Sequence, residues 1–246
     1  MDATAPDLFL FVFSTFLAAL VAGLAGFAFG LVAAAVWLHV LTPVQTASLI
    51  IAFGVIVQGV AVWKLRHALQ WARLWPFLLG GALGVPVGVT TLSWTDARTM
   101  RLGIGAMLIA YSSYALVRPA MQPVKRGGAT ADATVGLVNG ILGGATGLAG
   151  IIVTMWCAVR GWPKDVQRTV FQPVGVAVFA MSAAWLGTRR AIDRETIGLF
   201  ALGLPALAAG TWLGLKLYGR LDESAFRNMV LFLLLGSGLA LVIARR

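Results

Sequence analysis

The stretch "GGATGLAG", residues 143–150, interrupts a long apolar run, and "GLAGFAFG", residues 23–30, interrupts another. Glycine inside a helix costs about 1 kcal/mol relative to alanine. The two apolar segments, 8–40 and 133–159, are too long for one straight membrane span and short for two. Together these observations predict that a membrane helix is broken within each stretch.

Composition determines the class of protein. The chain of 246 residues is 59% hydrophobic and 11% charged, with a mean hydropathy of +0.88. A soluble domain carries about a quarter of charged residues, so the sequence predicts an all-α, polytopic, multi-pass membrane protein. The net charge of +10 lies in short clusters between apolar runs. This pattern is typical of cytoplasmic loops, so we expect membrane lipids and not nucleic acid as partners.

Basic loops indicate an orientation. By the positive-inside rule, the clusters in 64–73, 118–131 and 187–195 and at the C-terminus should be cytoplasmic. That arrangement requires segment 133–159 to cross the membrane once, and the same reasoning for 8–40 predicts about eight net crossings with both termini inside and parallel halves. The alternative left open is ten crossings with inverted halves. Six other apolar runs are predicted spans: 44–63, 74–92, 102–117, 166–186, 197–215 and 228–244.

The chain also resembles itself. An offset of 120 residues aligns Gly23 with Gly143 and Gly30 with Gly150. An offset of 126 aligns Gly84 with Gly210. We interpret the chain as two duplicated halves, a first membrane repeat at 1–126 with its break at 23–30 and a second at 127–246 with its break at 143–150. Duplicated halves with glycine-interrupted helices are typical of transporters, whose substrate sites lie at the breaks.

A broken membrane helix has a physical consequence. Its unpaired backbone groups must face protein or a watery cavity, because lipid cannot satisfy them. The helix that restarts after the break points its amide groups, and the positive end of its dipole, at that cavity. Two breaks would therefore favour an anion. The alternative left open is that the glycines only allow close helix packing.

Several motifs carry a resemblance to a known family. "AGLAGFAFG" and "TPVQTASLI" are repeated as "GGATGLAGIIV" and "GWPKDVQRTVFQPVGV", and "LGVPVG" and "AGTWLG" each precede an acid and an arginine. With these motifs the chain resembles the TauE/SafE family of sulfite exporter-like membrane proteins. The resemblance implies transport of sulfite, a sulfonate or a related small organic anion across the inner membrane. The chain departs from the pattern in carrying Phe27 and Phe29 in its first break.

Candidate substrate-binding residues lie at the breaks and on the helices that follow them. Arg168 and Gln172 are one helical turn apart, and an arginine beside broken-helix termini could fork onto a sulfonate or carboxylate. The alternative for Arg168 is an interfacial side chain that reaches the lipid headgroups. The complete predicted set is Gly23, Gly26, Gly30, Gln45, Ser48, Gly143, Gly144, Thr146, Gly147, Gly150, Arg168 and Gln172.

An intramembrane enzyme is disfavoured. The chain has one cysteine, Cys157, and two histidines, with no metal-ligand spacing and no acid deep in a span. We therefore expect no catalytic residues, no metal and no cofactor. The sequence predicts a secondary transporter for a small anion that works by alternating access, one half moving against the other. The alternative is a membrane-embedded scaffold or assembly subunit without a substrate, and a homodimer is compatible with either.

Overall fold

The computed structural model describes residues 5–25, 28–117, 127–188, 193–217 and 223–243, and all secondary structure in these residues is helical. Two helices are only nine residues long, and both follow a glycine-containing break. A short 3-10 turn, Arg66–Ala68, precedes α4. The helices are α1 (Ala5–Ala25), α2 (Phe29–Trp37), α3 (Pro43–Leu65), α4 (Trp71–Leu92), α5 (Ala97–Val117), α6 (Ala129–Thr146), α7 (Ile151–Val159), α8 (Lys164–Thr188), α9 (Arg194–Leu217) and α10 (Glu223–Ile243).

Six of the described helices are long and apolar enough to cross a membrane: α1, α3, α4, α5, α8 and α9. Five of them coincide with predicted spans. The sixth, α1, lies in the ambiguous segment 8–40 and is by itself long enough, with a candidate span over Ala5–Leu24. The predicted span 228–244 falls on α10, whose apolar described part is the shorter stretch Leu234–Ile243. The prediction of an all-helical, multi-pass membrane protein is therefore confirmed.

The helices form two compact units. Unit 1 contains the described residues of Met1–Thr46, Thr95–Pro119 and Arg194–Arg246, and unit 2 those of Ala47–Trp94 and Ala120–Asp193. The units do not coincide with the two predicted repeats. Each unit instead combines helices from both repeats.

In unit 2, α4 and α6 pack with their backbones in contact. Gly84 lies against the backbone of Leu137 and Ile141, and Gly88 lies against Ile141 and Ala145. The contacts advance along both helices in the same direction, so α4 and α6 run parallel. Side chains at these glycines would collide with backbone atoms, which explains why residues that weaken a helix occur here.

In unit 1, α1 and α9 pack in the same manner. Gly210 lies against the backbone of Phe16, and Gly214 lies against Leu20 and Gly23. This order again shows that the two helices run parallel. A second close crossing joins α5 to α10, where a Cβ at Gly105 would lie 2.9 Å from a backbone oxygen of α10.

The C-terminal end of α7 lies beside the N-terminal end of α6. The indole Nε1 of Trp156 donates to Oδ1 of Asp132 in the first turn of α6, at 2.7 Å, and the Arg160 guanidinium donates to the carbonyl of Gly127. Helices α6 and α7 therefore form a hairpin. The predicted single net crossing of segment 133–159 is wrong, because the bond between Asp132 and Trp156 ties its two ends together.

The first glycine-containing segment folds back in the same way. Trp37, at the end of α2, donates from Nε1 to Oγ of Ser14 in the middle of α1, at 3.0 Å. Its ring lies 5.0 Å from that of Phe11, centroid to centroid. Had α2 continued in line with α1, these residues would be far apart. Segment 8–40 thus also contains a hairpin, and the described helices do not support the predicted eight net crossings.

Helix directions within unit 2 also correct the predicted orientation of one loop. Gly54 of α3 contacts Phe179 of α8, whereas Gly175 contacts Gln58, so α3 and α8 run antiparallel. The end of α3 and the end of α8 consequently lie at opposite ends of unit 2. The prediction that 64–73 and 187–195 lie on the same side of the membrane is therefore wrong, because the length of the 25-residue α8 separates the two loops. The basic residues of 118–126 and of 189–192 lie outside the described residues.

Candidate functional site

The link between α6 and α7 needs glycine at two positions. Gly147 ends α6 with φ of 75°, and Gly150 precedes α7 with φ of 106°. L-residues with a side chain rarely adopt positive φ, and glycine does so without steric cost. Both were predicted as break residues, and the structure places them at the two turns of the break.

Hydrogen bonds satisfy much of the backbone inside the break. The Gly147 amide donates to the carbonyl of Gly143 at 2.8 Å, and the Leu148 amide donates to Oγ1 of Thr146 at 3.1 Å. Thr146 was predicted to bind substrate, and here its hydroxyl closes the end of α6. The Gly150 amide donates to Oδ1 of Asn139 at 2.8 Å. The predicted set omitted Asn139, and the available signal was a lone amide within an apolar run.

The first turn of α7 presents unpaired amides to the break. A helix leaves its first amide groups without intrahelical acceptors. We find no acceptor among the described residues for the amides of residues 151–153, and the next amide, of Thr154, bonds to the carbonyl of Gly150. The dipole adds roughly half a positive charge at this terminus. The N-terminus of α7 is therefore suited to an anion.

Empty space adjoins this terminus. Gly150 is buried, yet no described atom lies within 4 Å of where its Cβ would be. The glycines before it are closely packed. Gly143 contacts Val178 of α8, Gly144 contacts the backbone of α4, and Gly147 contacts Ile50 of α3. Gly150 is thus the glycine of this break whose backbone a ligand could approach, while Gly143, Gly144 and Gly147 make helix contacts.

The predicted ligands on α3 differ in their surroundings. Oε1 of Gln45 accepts bonds from the amide and hydroxyl of Thr42, and the Gln45 amide donates back to that hydroxyl. This is a capping box at the start of α3, so the carbonyl group of Gln45 is already used. Ser48 is 5% exposed, and its hydroxyl has no hydrogen-bond partner among the described residues.

The predicted ligands on α8 lie in its first half. Arg168 is half-buried and Gln172 is 3% exposed, one turn further along. Gly143 and Val178 are in contact, which places the middle of α8 beside the α6–α7 break. The structure thus brings α8 to the break, with Arg168 nearer to the start of that helix.

The first break is filled. Ala28, with φ of 77°, precedes α2 as Gly150 precedes α7. Phe29 is buried with its ring 6.1 Å from that of Trp37, so aromatic side chains occupy the inside of the hairpin. Of the predicted site residues, Gly23 lies inside α1 against Gly214, Gly30 is the second residue of α2, and Gly26 lies outside the described residues.

Comparison with known protein families gives a match over nearly the whole chain. The sequence model of the family described as Sulfite exporter TauE/SafE matches residues 11–241, nearly the whole chain. No curated protein and no solved structure matches significantly. The matched segment covers the α6–α7 hairpin and most of the α1–α2 hairpin, with the helices that pack on them. The chain therefore belongs to the sulfite exporter TauE/SafE family, a family of membrane transporters and not of enzymes.

Proposed function

We propose that this protein is a secondary transporter of the inner membrane for a small anion, and that the anion binds at the N-terminus of α7. The observation that carries the proposal is that the amides of residues 151–153 have no acceptor among the described residues, and that no described atom lies within 4 Å of where a Cβ of the buried Gly150 would be. Amides directed at such a space attract negative charge and offer donors that need no rearrangement. Family membership supports sulfite, a sulfonate or a related organic anion as the substrate.

The α6–α7 break is the better candidate of the two hairpins. Its α7 terminus adjoins open space, whereas Phe29 and Trp37 fill the corresponding region behind α2. The dipole of α2 still favours negative charge, but the aromatic rings leave less room for a ligand. We therefore propose one principal anion site, on α7, with Gln172 and Ser48 as further candidate ligands from α8 and α3.

Packing supports the proposal that the two halves are duplicates. Gly84 and Gly88 of α4 pack against the backbone of α6. In the same way, Gly210 and Gly214 of α9 pack against the backbone of α1. In each case the fourth helix of one repeat pairs with the first helix of the other. Each unit also contains one helical hairpin, α1–α2 in unit 1 and α6–α7 in unit 2.

The same helices support an inverted relation between the repeats. Three helices that can cross a membrane, α3, α4 and α5, separate the α1–α2 hairpin from the α6–α7 hairpin. An odd number of crossings makes the second hairpin enter from the opposite side. Inverted repeats are common in transporters that alternate access around a central site. We propose that units 1 and 2, and not the two sequence halves, are the parts that move.

The anion proposal is tested by thermal unfolding of the purified protein in sulfite, methanesulfonate or chloride at equal ionic strength. A ligand at 100 times its Kd stabilises the folded state by about 2.7 kcal/mol. Stabilisation by the sulfur oxyanions beyond that by chloride is expected. Equal melting temperatures in all three salts would contradict the anion site and favour the scaffold alternative.

A substitution locates the site. Gly150→Asn fills the open space with a side chain that tolerates positive φ better than most, so it should abolish oxyanion stabilisation while the protein remains monodisperse. The matched control is Gly103→Asn on α5, where the glycine is exposed and no described atom lies within 4 Å of the added Cβ. Full oxyanion stabilisation of Gly150→Asn would remove the site from this break.

A further inference from the structure

Asn139 lies at the centre of the α6–α7 hairpin and is completely buried. Its Oδ1 accepts from the Gly150 amide at 2.8 Å, across eleven residues of chain. This bond fixes which side-chain atom of Asn139 is oxygen and which is nitrogen, because the atom that faces a backbone N–H group must be the oxygen. The other atom, Nδ2, is therefore a donor.

That donor has no acceptor among the described residues. A buried polar group without a partner is costly and rare in native structures. Nδ2 shares a carbon with the oxygen that holds Gly150, so it must lie beside the N-cap of α7. The unpaired donor and the unpaired first-turn amides of α7 thus occupy the same small region.

The choice of side chain also indicates an anion. An aspartate could accept the Gly150 amide equally well and would suit a helix N-terminus by charge. It would, however, place a negative charge and no donor in the position of Nδ2. Asparagine holds the break closed and keeps the region free of negative charge.

We propose that Asn139 is a ligand of the transported anion, donating from Nδ2 to one oxygen while the amides of α7 donate to another. This inference rests on the proposed function and specifies its substrate class. A sulfite or sulfonate group carries several oxygens on one centre and can bridge donors that point from different directions. A halide offers a single atom and reaches both donors only where they converge on one point, so we expect oxyanions to bind more tightly than chloride.

Asparagine side-chain resonances test direct contact in the unmodified chain. The sequence has two asparagines, Asn139 and Asn228, and the second is exposed on α10. Protein labelled with ¹⁵N in asparagine side chains therefore gives two amide pairs, assigned by Asn228→Gln. Titration with methanesulfonate should shift the Asn139 pair and leave the Asn228 pair unchanged. An unshifted Asn139 pair at saturating ligand would overturn the proposal.

Replacement by aspartate tests the donor itself. Asn139→Asp keeps the acceptor for Gly150 but should weaken methanesulfonate binding about tenfold or more at neutral pH, because like charges then face each other. Binding should recover as the pH falls, since the protonated carboxyl regains a donor, and methanesulfonate stays ionised throughout. The control is Ser182→Ala, which removes a buried hydroxyl that also has no partner among the described residues and should leave affinity unchanged.

The outcomes separate this inference from the proposed function. A wild-type protein that binds neither sulfite nor methanesulfonate would overturn both. Wild-type binding with equal affinity and no pH-dependent recovery in Asn139→Asp would overturn the role of Asn139 and leave the anion site at α7 standing.

Discussion

At the scale of single residues, the polar side chains near the break are of two kinds. Some hydrogen-bond to the backbone, and others keep a hydrogen-bonding group with no partner among the described residues. Thr146 and Gln45 bond to backbone at helix ends, and their oxygens are used there. Asn139 and Ser48 are buried with a donor or hydroxyl unpaired among the described residues. Spacing along the chain does not distinguish these two groups, because the bonds that separate them depend on the bend of the chain.

Gln45→Ala is expected to destabilise the protein without weakening anion binding. The substitution leaves the Thr42 amide and hydroxyl without their Oε1 acceptor at the start of α3. Loss of a helix cap costs about 1 kcal/mol. Thermal unfolding should show the loss, and methanesulfonate titration should give the wild-type affinity. A large affinity change at wild-type stability would instead make Gln45 a ligand.

At the scale of elements, glycine has two different uses in this chain. In α4, α6 and α9 it allows helix backbones to touch, while in the break it supplies positive φ at Gly147 and Gly150. A sequence shows both as glycine in an apolar run. The predicted site therefore included Gly23 and Gly144, which the structure places in helix–helix contacts.

Gly84→Val should disrupt the α4–α6 pair. Its added atoms would meet the backbone of Leu137 and Ile141, which cannot move as a flexible side chain can. Forcing extra volume into a packed contact typically costs about 1–3 kcal/mol. The melting temperature should fall well below that of a control, Gly198→Val on α9, where no described atom lies within 4 Å. Equal melting temperatures for the two variants would show that α4 and α6 are not in backbone contact.

One pair of side chains, Trp156 and Asp132, helps to hold the end of α7 against the start of α6. Trp156→Phe keeps the ring but removes the donor to Asp132, whose side chain is 8% exposed. A buried carboxylate that loses a hydrogen bond costs about 1–3 kcal/mol. Reduced thermal stability is expected, with partial recovery in the double variant Trp156→Phe, Asp132→Leu. A stability unchanged from wild type would mean that the bond does not hold the hairpin.

At the scale of the whole molecule, the arrangement of loops across the membrane follows from helix directions within unit 2. The 3-10 turn at Arg66–Ala68 follows α3, and Thr188 ends the antiparallel α8. These two positions lie at opposite ends of the unit. With the basic loop 64–73 cytoplasmic by the positive-inside rule, Thr188 should face the outside.

Cysteine labelling tests this topology. In a Cys157→Ser background, an impermeant thiol reagent added to intact cells should label Thr188→Cys and not Ala68→Cys. Both substituted residues are exposed, whereas Cys157 is buried. Permeabilised cells should show both labels, which controls for expression. Protection of both sites in intact cells would restore the arrangement in which these loops share the cytoplasmic side.

Much of this protein follows from its sequence alone. Composition requires a membrane solvent, and five of the predicted spans became long apolar helices because about 20 apolar residues can only satisfy their backbone there as a helix. The glycine stretches correctly marked two breaks. The family resemblance, based on motifs over most of the chain, was confirmed by the family match.

Only the tertiary structure decided where α2 and α7 go. Hydropathy records how apolar a segment is and carries no direction, so a hairpin and a kinked span look alike in sequence. The direction comes from bonds between residues far apart in the chain, Trp37 to Ser14 and Trp156 to Asp132. Asn139 became visible as part of the break for the same reason, because the fold alone brings its oxygen to the amide of Gly150.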